Sequence, residues 1–139
     1  MLDQQRAYDR VNHQYMAACL QAFGFPQAFV QAINNLYSNL TGSVIVNQFH
    51  TKPFTLKCGV RQGDPLSPFL YNITFEPFLA RIRRNLEGIT IQGHTFKVGA
   101  FADDATVGLS SPTEIPAFLE IVQLYEDASN AKMAYAKSQ

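Results

Sequence analysis

Cysteine and long apolar runs are scarce in this sequence, and their scarcity excludes several classes of protein. The chain has only two cysteines, Cys19 and Cys58, which lie far apart, so neither a disulfide framework nor a zinc site is expected. No apolar run approaches the roughly 18 residues that suggest a membrane span, and no signal-peptide pattern opens the chain. We therefore expect a reduced intracellular protein of the nucleus or cytoplasm, with no membrane partner.

The net charge of the chain is zero, because eleven basic residues balance eleven acidic ones. The charges are unevenly distributed: residues 51–100 contain seven Lys or Arg and three Asp or Glu, whereas residues 101–139 contain two and six. This pattern suggests a basic surface opposite an acidic centre. With 139 residues, 47% of them hydrophobic, the chain has the size and composition of one packed domain. Its abrupt beginning and end suggest a fragment of a larger protein.

The first part of the chain predicts two helices and a hairpin. Asn12 can cap a helix that stops at Gly24, and a second helix is predicted to begin at Pro26. The β-branched residues 44–46 and the apolar residues 54–56 then predict a short hairpin that projects from the body. The apolar stripes are Met16, Leu20 and Phe23 in the first helix, and Phe29, Ile33, Leu36, Tyr37 and Leu40 in the second.

The longest apolar segment, residues 66–86, predicts a third helix. Either Asp64 or Ser67 can begin it, because each precedes a proline that suits the first helical turn. Pro77 lacks an amide proton and is expected to kink the helix, which Gly88 should end. Its predicted buried face consists of Phe69, Leu70, Ile73, Phe78 and Ile82.

The last part of the chain predicts strands at residues 97–102 and 105–109, a helix after Pro112, and a final strand at residues 133–136. Helices that cover one face of a small antiparallel sheet make an α+β domain.

Two adjacent carboxylates interrupt the strand-forming run AFADDATVG at residues 100–108. Asp103 and Asp104 suit an ordinary hairpin turn, but a hairpin tip can also present carboxylates to a divalent cation. A third carboxylate, Asp3, ends what looks like a short strand. If this strand lies beside the hairpin, three carboxylates converge, and their repulsion predicts neutralisation by metal. Two ions about 3.5–4 Å apart could then support an in-line displacement.

Four segments of the chain, in this order, resemble the reverse transcriptases of non-LTR (LINE-type) retrotransposons. LDQQRAYDRVNH is similar to the first palm motif of that family, GVRQGDPLSP with the following YNITFEP to the second, FADD to the catalytic hairpin, and NAKMAYAKS to the motif after it. The resemblance implies the palm subdomain of a right-hand polymerase over residues 1–139. It also implies that Asp3, Asp103 and Asp104 are catalytic and bind two Mg²⁺ ions, with Mn²⁺ as a possible substitute.

The resemblance also implies roles in substrate binding for five residues. Tyr8 matches an aromatic steric gate beneath the incoming sugar; the alternative is a core aromatic. Gln62 and Gly63 match a loop that approaches nucleotide and template, although Gly63 also suits an ordinary turn. Arg61 could contact phosphate or only water. Lys137 matches a basic position near the pyrophosphate, or it is a surface residue near a chain end.

The implied activity is RNA-directed DNA polymerisation, with an RNA template, a DNA primer and deoxynucleoside triphosphates as partners. The fingers and thumb regions that position these substrates in the family are not found in the sequence, so we expect little activity from the fragment. The alternatives are an inactive retroelement remnant and a nucleic-acid-binding module that keeps the palm fold. A metal-dependent nucleotidyl cyclase is a further alternative, but the GVRQGDPLSP loop has no evident role in such an enzyme.

Overall fold

The computed structural model of the chain describes residues 1–135. It contains five α-helices and four short antiparallel strand pairs. The helices are α1 (Ala7–Arg10), α2 (His13–Ala22), α3 (Gln27–Tyr37), α4 (Ser67–Asn85) and α5 (Ile115–Ser129). The strands are β1 (Thr41–Gly42), β2 (Ile45–Val46), β3 (Phe49–His50), β4 (Phe54–Thr55), β5 (Ile89–Ile91), β6 (His94–Phe96), β7 (Val98–Phe101) and β8 (Asp104–Val107).

Helix α2 begins as the sequence predicts. The side-chain oxygen of Asn12 accepts hydrogen bonds from the backbone amides of Gln14 and Tyr15, at 2.8 and 2.9 Å, which satisfies two of the donors that every helix start leaves unpaired. Gly24 follows the helix with a φ of +81°. Phe23 was predicted to be buried, but its side chain is 50% exposed. Because it caps the helix end, it lies beyond the turns that face the core.

Ile33 and Tyr37 of α3 are buried as predicted, but Val30 takes the buried position that was predicted for Phe29. Val30, Ile33 and Tyr37 are buried, whereas Phe29 and Leu36 are more than one-third exposed. Spacings of three and four residues generate both stripes, so helical periodicity alone does not choose between them. Packing against α2 determines which stripe faces inward.

The predicted hairpin between α3 and α4 is present, but residues 45–46 pair with a strand closer in sequence than predicted. Strand β2 pairs with β3, and β1 pairs with β4 outside them. Asn47 and Gln48 both have positive φ, which is typical of the two-residue hairpin turns that match strand twist. Because this turn reverses the chain so soon, Ile45 pairs with His50 rather than with a residue of the 54–56 run. The hairpin is exposed, as expected.

Helix α4 is the longest element, and it continues through Pro77 to Asn85. It begins at Ser67, the second of the two predicted starts, while the Asp64 carboxylate accepts from the amide of Leu66 at 2.9 Å. Leu70, Phe78 and Ile82 are buried as predicted, but Phe69 is 67% exposed. Helices α2, α4 and α5 pack together around these side chains, and the aromatic rings of Phe75, Phe78 and Tyr125 contact one another there.

A small antiparallel sheet forms around the hairpin β7–β8. Leu2 forms a bridge to Ala105 of β8, and Gln4 forms a bridge on its other side to Met133. The first segment of the chain therefore lies between β8 and residues 132–134. A final strand was predicted at residues 133–136, and the bridge between Gln4 and Met133 lies at its start. Ala136 lies outside the described residues. Leu2 and Ala105 are buried under the helices, so the α+β prediction is confirmed. Over residues 1–135, the helices are too short or too polar to cross a membrane.

Candidate catalytic site

The two adjacent carboxylates occupy the tip of the hairpin β7–β8. Phe101 pairs with Asp104 as the last pair of the ladder, so Ala102 and Asp103 form the turn, one residue before the predicted turn at Asp103 and Asp104. Ala102 has a φ of +53°, which is uncommon for a residue with a side chain. The turn is thus held in a conformation that costs backbone energy, which is a frequent feature of functional sites.

Asp3 lies beside this hairpin. The amide of Leu2 donates to the carbonyl of Ala105 at 2.6 Å, and the amide of Ala105 donates back to Leu2 at 3.0 Å. Because the pairing is antiparallel, Asp3 follows in register opposite Asp104. Side chains alternate between the faces of a strand, and Leu2 and Ala105 face the core. Asp3 and Asp104 therefore share the face that the helices leave open.

Asp3, Asp103 and Asp104 lie on adjacent segments of the chain. Within residues 1–135, no group of three or more His, Cys, Asp or Glu side chains is arranged so that it could hold a metal ion. The convergence of Asp3, Asp103 and Asp104 on one metal site therefore stays a prediction. Asp104 is exposed, whereas Asp103 is half-buried and its carboxylate contributes to the raised pKa of the buried Tyr71 hydroxyl. Their oxygen donors nevertheless fit Mg²⁺, which prefers carboxylates and water.

Tyr8, the predicted steric gate, lies in the short helix α1 and is half-buried. Its ring stacks on Tyr71 with the centroids 4.8 Å apart and the planes 14° from parallel. One face of the ring is thus supported by the core. Half-burial leaves part of the side chain accessible, so the gate and core interpretations are compatible.

Tyr71 was not among the predicted site residues, although it connects several of them. It is 1% exposed, and its hydroxyl accepts a hydrogen bond of 2.8 Å from Nε2 of Gln4, the residue after Asp3. Burial raises the pKa of the Tyr71 hydroxyl above its ordinary value, and interactions with Tyr125 and with the Asp103 carboxylate raise it further. Tyr71 was not part of the predicted buried face of α4, and no local pattern in the sequence singles it out.

The GVRQG loop, residues 59–63, docks on the turn that carries Tyr8. The amide of Gly59 donates to the carbonyl of Val11, and the amide of Val60 donates to the carbonyl of Tyr8, each at 2.8 Å. Nε2 of Gln62 donates to the Asp9 carboxylate at 3.1 Å. These contacts hold the loop at a fixed distance from the proposed gate.

His13 adds another contact, because its Nε2 lies 2.8 Å from the carbonyl oxygen of Gly59. No pattern in the sequence indicates this role for His13. Arg61 and Gly63 are exposed, and a side chain at Gly63 would meet nothing within 4 Å. The loop also lines an open groove of about 550 Å³, together with Asp9 and residues 54–58. Lys137 lies outside the described residues.

Gly59→Ala is expected to destabilise the isolated chain more than Gly63→Ala. Both glycines have positive φ, +93° and +85°, so both variants should lose about 1–3 kcal/mol through backbone strain. Only at Gly59 would the new Cβ lie 2.9 Å from the carbonyl oxygen of Asp9. Urea unfolding of the two variants measures the difference. An equal loss would show that the loop does not dock closely on the Tyr8 turn.

The fold and these positions define the class of protein: an α+β domain in which a two-aspartate hairpin pairs with a first segment ending in a third aspartate. The reverse transcriptase (RNA-dependent DNA polymerase) family matches residues 1–139, and the chain belongs to this family. This match, together with the relatives described next, confirms the resemblance to reverse transcriptases of non-LTR retrotransposons.

Three relatives are proteins of mobile elements. The chain is 36% identical over 139 residues to the transposon TX1 uncharacterized 149 kDa protein of Xenopus laevis, covering 99% of the chain and 11% of that protein. It is 32% identical over 103 residues to the Pol polyprotein of the element R2DM of Drosophila melanogaster, covering 74% of the chain and 10% of the relative. An R2 Pol polyprotein of Popillia japonica is 32% identical over 124 residues, which is 87% of the chain and 17% of the relative.

The chain thus spans between about a tenth and a sixth of the length of these relatives.

Proposed function

We propose that residues 1–139 act as the catalytic palm of an RNA-directed DNA polymerase within a longer polyprotein. In this reaction the 3′-hydroxyl of a DNA primer, paired to an RNA template, attacks the α-phosphate of a deoxynucleoside triphosphate and releases pyrophosphate. The observation that carries the proposal is the pairing of Leu2 with Ala105, which brings the Asp3 segment beside the Asp103–Asp104 hairpin. Membership in the reverse transcriptase family supports it.

Asp3, Asp103 and Asp104 would hold the divalent ions, Mg²⁺ or alternatively Mn²⁺. When bound, two such ions lower the barrier by activating the attacking hydroxyl and stabilising the leaving oxygen. The contribution of the chain is to hold three anionic side chains on adjacent segments, where their mutual repulsion favours cation binding. The strained turn at Ala102 fixes the hairpin tip, so the acidic centre is anchored to the sheet rather than to a long loop.

Tyr8, Gln62 and Gly63 would contact the incoming nucleotide and the template. The Tyr8 ring would exclude a 2′-hydroxyl by its volume, because the stacked Tyr71 ring prevents it from retreating. Gly63 lacks a side chain and faces open space, so a base or sugar could approach the backbone closely. Arg61, which is exposed beside Gln62, and Lys137 would contact phosphate groups.

Primer extension by the full-length polyprotein tests this proposal. With an RNA template, a DNA primer, deoxynucleoside triphosphates and Mg²⁺, we expect extended primer, and we expect chelation of the metal to abolish extension. Omission of the template is the control for untemplated addition. Binding of the primer–template without extension would instead support a nucleic-acid-binding module, and absence of both binding and extension would support an inactive remnant.

A further inference from the structure

A buried polar pair lies directly beneath the proposed site. Gln4 is 5% exposed and Tyr71 is 1% exposed, and the Gln4 amide donates to the Tyr71 hydroxyl at 2.8 Å. Burial of an amide and a hydroxyl is costly unless they are hydrogen-bonded. Since apolar side chains could fill the same space, this pair calls for an explanation beyond filling the core.

The pair connects two segments that are distant in the sequence. Gln4 follows Asp3 and is itself held in the sheet by its bridge to Met133. Tyr71 belongs to α4, four residues into the helix that follows the GVRQGDPLSP loop. The hydrogen bond therefore fixes the end of the Tyr71 side chain relative to the strand that carries Asp3. Without this bond, the Tyr71 ring would be held by packing alone.

The Tyr71 ring restrains the orientation of the Tyr8 ring, because the two rings are stacked. The two rings are nearly parallel, 14° apart, with their centroids separated by 4.8 Å. Tyr8 is only half-buried, so the stack is a main restraint on its ring. A rotation or shift of Tyr71 would release the Tyr8 ring from its support. The Tyr71 ring also contacts the Phe75 ring, at a centroid distance of 5.7 Å.

We propose that Gln4 and Tyr71 are positioning residues that hold the Tyr8 ring at the depth and angle needed to discriminate deoxyribose from ribose. This inference rests on the proposed function, because it assigns a support to the steric gate. It adds that the selectivity of the gate depends on one hydrogen bond below it. Neither residue needs to touch the nucleotide.

The test compares Tyr71→Phe and Gln4→Leu with the double variant in the full-length polymerase. The measured quantity is kcat/KM for a ribonucleotide divided by kcat/KM for the matching deoxyribonucleotide. We expect each single variant to raise this ratio about fivefold, which corresponds to the loss of one hydrogen bond. We expect the double variant to raise it no further than either single variant, because both remove the same interaction.

Tyr37→Phe is the matched control. Tyr37 is also a buried tyrosine, 3% exposed, and within the described part of the chain its hydroxyl has no hydrogen-bond partner. Its conversion to Phe should leave the ratio unchanged. If Tyr71→Phe fails to fold, Gln4→Leu still tests the hydrogen bond, because it keeps both stacked rings.

Tyr8→Ala, measured in the same assay, separates failure of this inference from failure of the gate. If Tyr8→Ala raises the ratio while Tyr71→Phe and Gln4→Leu only lower the melting temperature, the positioning role is wrong and the gate stands. If Tyr8→Ala leaves the ratio unchanged, both proposals are wrong. Additive effects of Tyr71→Phe and Gln4→Leu would also contradict the inference, since the two residues would then act separately.

Discussion

Asp103→Asn is expected to reduce Mg²⁺-dependent primer extension by the full-length polyprotein by about a hundredfold or more. The substitution keeps nearly the same side-chain volume but removes a negative charge and an oxygen donor from the proposed metal site. A transition state that depends on bound cations then loses one of their ligands. Because the charge in the acidic centre falls, the thermal stability measured without metal should stay equal or rise.

Asp127→Asn provides the control for this variant. Asp127 is exposed on α5 and accepts a hydrogen bond from Gln123, away from the hairpin β7–β8. Its substitution removes the same charge from the protein without changing the acidic centre, so extension should remain at the wild-type rate. Unchanged extension by Asp103→Asn would show that Asp103 is not catalytic, whatever the outcome for the fold.

Tyr8→Ala is expected to admit ribonucleotides. Removal of the ring opens the space beneath the sugar, so the efficiency of ribonucleotide incorporation relative to deoxyribonucleotide incorporation should rise at least about tenfold, or roughly 1.4 kcal/mol of discrimination. The variant should also lose about 0.5–1.5 kcal/mol of stability, because it loses the stacking on Tyr71.

Tyr8→Phe keeps the ring and removes only the hydroxyl. If ring volume excludes the 2′-hydroxyl, this variant should retain wild-type sugar discrimination. Single-nucleotide incorporation with matched ribo- and deoxyribonucleotides measures both variants. Wild-type discrimination between ribose and deoxyribose in Tyr8→Ala would show that Tyr8 has only a structural role in the core.

Local features of the fold were predictable because their causes are local. The cap at Asn12 depends on a side chain bonding to amides two and three residues away, and the hairpin tip at Asp103 depends on a short turn between two apolar strands. The sequence predicted the burial of Ile33 and Tyr37 in α3 but could not choose between Phe29 and Val30, because these neighbours are equally apolar. Contact with another helix determines which of them faces the core.

The candidate site was predictable as a set of segments but not as a set of side-chain contacts. The sequence predicted that Asp3 would lie beside Asp103 and Asp104. It did not show that Asp104 is exposed while the adjacent Asp103 is half-buried. The bond between Gln4 and Tyr71 spans 67 positions, and no periodicity indicates such a pair.

The contact between His13 and the GVRQG loop escaped prediction for a similar reason. His13 lies 46 positions from Gly59, and its sequence neighbours indicate only the start of a helix. The close approach of Gly59 to the Asp9 backbone likewise depends on how two distant turns meet.

The central claim is that the acidic centre of this chain binds catalytic divalent ions, and locating Mn²⁺ in crystals of the full-length polyprotein tests it most directly. Anomalous diffraction identifies the positions of the ions without assumptions about the mechanism. The account predicts a peak within about 2–2.5 Å of carboxylate oxygens from Asp3 and from the Asp103–Asp104 hairpin. The account would be contradicted if the protein extended primers and saturating Mn²⁺ bound only at positions away from these carboxylates.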